Sequence, residues 1–368
     1  MVRRLMYLTL FYVIGGCVEP YKFVIKDVES ALVVEAFISD KSWRETVEYP
    51  SDGRYFTVKL SRTGDVTNVR SEPVSFASVF LENDQGKSWQ YAESPEEAGM
   101  YRLLDEDFKA EQDVHYKLTV KLSDEHTYES TWQTLPSAVE PPMGEIGFKE
   151  VQYKKYAIQA DKEVIVTVNG IQTQIDLPLN NSGSTLFYKW NFYPTWIYIA
   201  PLSPSAILPG YRCWVSTPYY LRDYILQTDN VGGYTKDLFR METIRNERIF
   251  ERFSALIVQY AMTKDYFTFW KEMQEQNQDG AILDKPPFNL LTNLAETDGG
   301  GKVYGYFGVV HEQARRWYFE KNQLSYFVVN TLKKDCTVPD LEPGPSCFDC
   351  REYTFGNPSN VRPAWWID

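Results

Sequence analysis

The sequence predicts a mainly β protein: an immunoglobulin-like or transthyretin-like β-sandwich over residues 28–136, then a larger β-rich domain over 143–368 with one prominent helix near 263–278. Three observations predict it. Short runs of alternating apolar and polar residues recur between turn signals, as half-buried strands require. Pro136, Pro141, Pro142 and Gly144 break that pattern and mark a boundary. One stretch after Thr263 repeats its apolar residues at helical spacing instead.

In chain order, Arg3 and Arg4 precede an apolar run from Leu5 to Ile14, followed by Gly15-Gly16-Cys17. The apolar segment is about ten residues, short of the ~20 a spanning helix needs. A basic start, a short apolar core and small residues before a cysteine are the order of a cleaved signal peptide with a lipid-attachment site. Residues 1–16 are therefore expected to be removed and the Cys17 thiol to carry diacylglycerol, with 17–27 as a short leash. At ~0.8 kcal/mol per buried methylene, such a lipid anchors the chain stably. It is the only covalent cofactor expected.

The first sandwich rests on runs at Leu32–Ile38, Tyr55–Leu60, Phe76–Leu81, Ser88–Ala92, Tyr101–Leu104, Val114–Leu122 and Thr127–Gln133. Val114, Tyr116, Leu118, Val120 and Leu122 alternate with polar residues, which places His115 on the solvent face. Asn83-Asp84-Gln85-Gly86 is a turn signal. In the second domain, Val164, Val166 and Val168 before Asn169-Gly170, with Ile171, Thr173, Ile175 and Leu177 after it, predict a two-residue hairpin. Further strands are expected at Thr185–Phe192, Trp196–Ile199, Arg212–Ser216, Phe250–Tyr260, Lys302–Val310 and Arg316–Glu320. The helix has Thr263 as N-cap, Met262 and Phe267 at the staple positions, a stripe of Tyr266, Phe269, Trp270 and Met273, and Gly280 as its stop. The stripe reads as a face packed on the sheet.

Composition limits function. The net charge is −12, with no basic cluster after the first few residues, so nucleic acid and anionic membrane surfaces are poor partners. Aromatics make up 15% of the chain, which suits pleated packing and, at an exposed face, binding. His115, His126 and His311 are far apart, which argues against a histidine-rich metal site. Cys213, Cys336, Cys347 and Cys350 could form two disulfides or a zinc cluster, and export favours disulfides. Three pairings exist; because Cys213 is remote in sequence, full oxidation must join it to the C-terminal tail. The sequence carries no Gly-x-Ser-x-Gly elbow, phosphate loop or zinc-protease helix. No catalytic residue or metal ligand is assigned.

The order of several short motifs resembles a family of outer-membrane lipoproteins from Bacteroidota, the domain of unknown function 4249 family. They are Cys17 with Glu19-Pro20-Tyr21, Leu32-Val33-Val34-Glu35, Tyr55–Leu60 with Ser61-Arg62, Cys213-Trp214, Phe253–Tyr260, Phe269-Trp270-Lys271, Gly280-Ala281-Ile282 and Val303–Phe307. The tail, Cys347-Phe348-Asp349-Cys350 with Pro363-Ala364-Trp365-Trp366, also resembles the family's ending, whereas Leu202–Leu208 looks particular to this chain. The resemblance implies an outer-membrane, cell-surface location and a gene beside a TonB-dependent transporter, and it brings no catalytic residues. The expected function is a non-enzymatic accessory subunit that captures or gates a nutrient for that transporter. The alternatives are a structural or assembly lipoprotein of the envelope that binds another protein, and an exported hydrolase.

Overall fold

The computed structural model describes residues 30–63, 72–138, 140–159, 161–278, 291–339 and 341–367. The expected signal peptide, the lipid site Cys17, the leash and the helix stop Gly280 lie outside the described residues. No described helix is long and apolar enough to cross a membrane.

The protein is mainly β. Its first part holds β1 (Leu32–Ser39), helix α1 (Trp43–Val47), β2 (Phe56–Arg62), β3 (Glu72–Pro73), β4 (Ser78–Asn83), β5 (Ser88–Glu93), β6 (Met100–Leu103), β7 (Tyr116–Lys121) and β8 (Thr127–Ser130). The turn signal after β4 forms as expected, with the Asn83 side chain accepting from the Gln85 and Lys87 amides. β5 pairs with β4 and then with β6, so the strand path doubles back. Leu32, Val34, Val58 and Leu60 thereby share a fully buried core with Val79, Leu81, Leu118 and Val120. His115 is exposed and bonded to Asp84 (2.8 Å).

The second part holds β9 (Ile146–Gln159), β10 (Lys162–Leu177), β11 (Leu186–Ile199), β12 (Arg212–Ser216), β13 (Ile225–Asp229), β14 (Tyr234–Glu242), β15 (Arg252–Ala261), α2 (Lys264–Gln278), β16 (Leu294–Glu296), β17 (Val303–Glu320), α3 (Leu332–Asp335) and β18 (Asn357–Ser359). β14, β10 and β9 make a three-stranded sheet. The remaining strands form one 15-stranded sheet, with the order β16-β8-β7-β4-β5-β6-β2-β1-β17-β15-β11-β12-β18 along its path.

Three expectations are corrected. The first domain does not close within 28–136, because β16 pairs with β8 and the first half of β17 pairs in parallel with β1, from Leu32↔Val303 to Ser39↔Val310. The second half of β17 pairs with β15, so this one strand belongs to both parts. The runs expected as separate strands at Lys302–Val310 and Arg316–Glu320 are therefore continuous, as are those at Thr185–Phe192 and Trp196–Ile199, which form β11. Pro194 lies inside β11 between the end of its β13 pairing at Trp190 and the start of its β12 pairing at Thr195. There β11 is bonded in these ladders to β15 alone, so a residue without an N–H costs the sheet little.

The third correction is the hairpin. β10 runs straight through Asn169-Gly170, paired with β9 from Lys162↔Gln159 to Ile175↔Ile146. The turn comes before Lys162, where Asp161 takes φ 59°, and neither Asn169 nor Gly170 has the positive φ that a two-residue hairpin turn needs. Successive strand residues point to opposite faces. Val164, Val166 and Val168 therefore face one side and Ile171, Ile175 and Leu177 the other, so the buried face changes without a turn. β14 joins at Gly170, where an added Cβ would lie 2.6 Å from the Met241 carbonyl oxygen.

Candidate functional site

β15 explains where a site can form. Phe253 to Ala261 are all buried, which is the pattern of a strand covered on both faces. Its Phe253, Ala255 and Ile257 join the core beneath the three-stranded sheet, while Leu256, Val258 and Tyr260 face α2. α2 lies over the junction where β1, β17, β15 and β11 run side by side. Tyr266 stacks on Tyr306 (5.1 Å between ring centroids) and touches the sheet at Gly308, where an added Cβ would come within 2.2 Å of its ring.

Between α2 and this junction is a cavity of about 670 Å³. Its floor comes from β1 at Val33 and Phe37, from β17 at Tyr304 and Tyr306, and from β15 at Tyr260. Its roof is Tyr266, Phe269, Trp270, Met273 and Gln276 of α2. The expected aromatic stripe therefore packs on the sheet and also lines a cavity.

One charge is held inside. Lys189 of β11 is 6% exposed and lines the cavity, with its ammonium 3.4 Å from the Trp270 ring centroid and 4.9 Å from that of Tyr224. Tyr260 adds a third ring at 5.8 Å. The Tyr224 hydroxyl donates to the Trp270 carbonyl (2.8 Å), which fixes the cage to the helix. Lys189 makes no ion pair or hydrogen bond among the described residues, and burial pulls its pKa down to about 7. The Gln276 side-chain amide is also buried without a partner. At the rim, Glu35 and Lys59 stand opposite each other on β1 and β2.

Beyond Tyr260, the two parts are tied by an ion pair between a half-buried arginine and a buried carboxylate. Arg54 binds Glu312, which is 1% exposed and also accepts from the Ser39 hydroxyl (2.7 Å). Its neighbour His311 faces Asp40 through Nδ1 (3.1 Å) and the Pro136 carbonyl through Nε2 (3.0 Å). Both ring nitrogens meet acceptors, so the doubly protonated ring satisfies both. Burial alone would lower its pKa, but these two partners raise it. Gln313 holds the proline segment at Pro141 and Met143. Glu140, in that segment, accepts from Gln259 (2.6 Å), and burial lifts its pKa to about 7 against the pull of its hydrogen bonds.

The cysteines expected as disulfide candidates form two bridges away from the cavity, Cys213–Cys350 and Cys336–Cys347. Cys213 is thus clipped to the tail, and the Leu202–Leu208 segment is held there too, through the Leu202 amide and the Cys347 carbonyl (2.8 Å). The cavity residues were not singled out from sequence, apart from the helix stripe. Lys189 alternates with Leu186, Tyr188 and Trp190 and reads as the solvent side of a half-buried strand; only the coverage by α2 makes it internal.

A family model described as a domain of unknown function (DUF4249) matches residues 18–316, which takes in every described residue lining the cavity and stops short of the tail cysteines. No curated protein matches the chain significantly.

Proposed function

The chain belongs to that DUF4249 family, and from this premise we propose that it is a lipid-anchored, non-enzymatic binding protein that captures a small ligand for an outer-membrane TonB-dependent transporter. The observation that carries the reading is the cavity at the junction of the two parts. Ligand sites are typically concave, mainly apolar, about 300–1,000 Å³, and set where two structural units meet. The aromatic lining, with Lys189 as an internal cation, has that character. The ordered signal features before Cys17 support the anchor, and a leash of about ten residues keeps the body within ~35 Å of the bilayer. An acidic body gains nothing from anionic headgroups, so its position there depends on protein contact.

Three measurements test this. Protein isolated from membranes in mild detergent should bring down a TonB-dependent barrel, and deleting the gene should impair growth on that barrel's substrate. An apolar fluorescent probe should bind the protein and be lost on Tyr306→Ala, which removes the ring that stacks under α2. A lone monomer with unchanged uptake and no probe binding would defeat the reading. A second reading, an envelope assembly protein, has one feature in its favour. The β9–β10 ribbon beyond the reach of β14 exposes Tyr156, Ile158 and Ile165.

A further inference from the structure

We propose that the cavity takes an apolar monocarboxylic acid whose carboxylate pairs with the Lys189 ammonium. The inference rests on the binding reading above and specifies its ligand. An ammonium that is 6% exposed costs free energy unless an anion or hydrogen-bond acceptors compensate it, and Lys189 has neither among the described residues. The three rings around it offer only quadrupole attraction, which leaves its N–H donors available. Two further side-chain groups of the lining are buried without a partner among the described residues, the Gln276 amide nitrogen and the Trp270 indole N–H, and like the ammonium they are donors. All three groups ask for acceptor oxygens.

The ligand's charge follows from the cations present. Arg54 is committed to Glu312, and Lys59 stands at the rim opposite Glu35. Among the described residues, one uncommitted interior cation matches one negative charge, whereas a phosphate dianion calls for a second cation or a fork of donors. The rest of the ligand meets Val33, Phe37, Met262, Phe269, Met273 and Tyr306, which favour an alkyl or aryl body. Methionines in such a lining adapt to irregular apolar shapes.

The test is calorimetric titration of the full-length protein in nanodiscs, with empty nanodiscs as the blank, using hexanoate, octanoate and decanoate beside the matching amides and alkylammonium ions. At pH 6.5 the best acid should bind at least about tenfold tighter than its amide, the scale of one hydrogen bond to a charged group. The alkylammonium should bind most weakly. Lys189→Met should abolish the preference for acid over amide while amide binding persists, which also shows that the variant is folded. In the wild-type protein the Lys189 Cε resonance should titrate near neutral pH when free and at higher pH with acid bound. Equal affinity for acid and amide, or a preference that survives Lys189→Met, would overturn the carboxylate assignment and leave the binding reading standing. Failure of every acid, amide and apolar probe to bind would overturn both.

Discussion

At the scale of single residues, the buried charges set opposite pH dependences. Lys189 has a folded pKa of about 7 against 10.5 for a free lysine. The unfolded chain therefore binds the proton more readily between those values, and stability rises with pH across that window. Below pH 7 the penalty is complete. It amounts to a few kcal/mol, since each tenfold change in protonation is about 1.4 kcal/mol. Lys189→Met is expected to stabilise the protein most below pH 7 and progressively less towards pH 10, as measured by urea unfolding. His311 has the reverse sign. Its pKa is raised in the fold by Asp40 and the Pro136 carbonyl, so its contribution is complete below 6.5 and fades as pH rises through the folded value. His311→Asn should therefore lose more stability at pH 5.5 than at pH 8.5. An equal loss at both would show that the clamp does not depend on the ring's charge.

At the scale of elements, α2 owes its place to one small residue. With an added Cβ at 2.2 Å from the Tyr266 ring, Gly308→Ala must shift the ring that stacks on Tyr306. Overpacking of this kind typically costs about 1–3 kcal/mol. The expected result is lower urea stability together with a change in tryptophan fluorescence, because Trp270 lies on the same helix. The β9–β10 ribbon has the opposite character, since beyond Gly170 its two strands have only each other. A two-stranded ribbon is marginal by itself. Limited trypsin digestion should first cut around Lys154 and Lys162, leaving the two cores intact. The ribbon also shows how a pattern can be read correctly and placed wrongly. Three valines, Asn-Gly and a second apolar row describe a hairpin, yet they equally describe one strand whose buried face changes side. The pairing with β9 straight through Asn169-Gly170 and the arrival of β14 at Gly170 distinguish the two.

At the scale of the whole molecule, β17 and the disulfides hold distant parts of the chain together. Cys213–Cys350 spans 137 residues and Cys336–Cys347 spans 11, for which loop-closure entropy gives about 5 and about 3 kcal/mol of stabilisation. Replacing Cys213 and Cys350 with serine should lower unfolding free energy more than replacing Cys336 and Cys347. Alkylation of the unfolded, unreduced protein should label none of the four. Sequence by itself determined the β class, most strand positions in the first sandwich, the prominent helix with its stripe, and, on the condition of full oxidation, the link between Cys213 and the tail. These follow from local periodicity, capping and counting, which the chain carries within a few residues. Tertiary structure alone decided that β1 and β17 pair in parallel across 271 positions, from Leu32 to Val303, and that one strand serves both parts. It also decided that Lys189 is internal. Periodicity tells which residues share a face, but what covers that face depends on contacts between segments remote in sequence, and the cavity exists only where those segments meet.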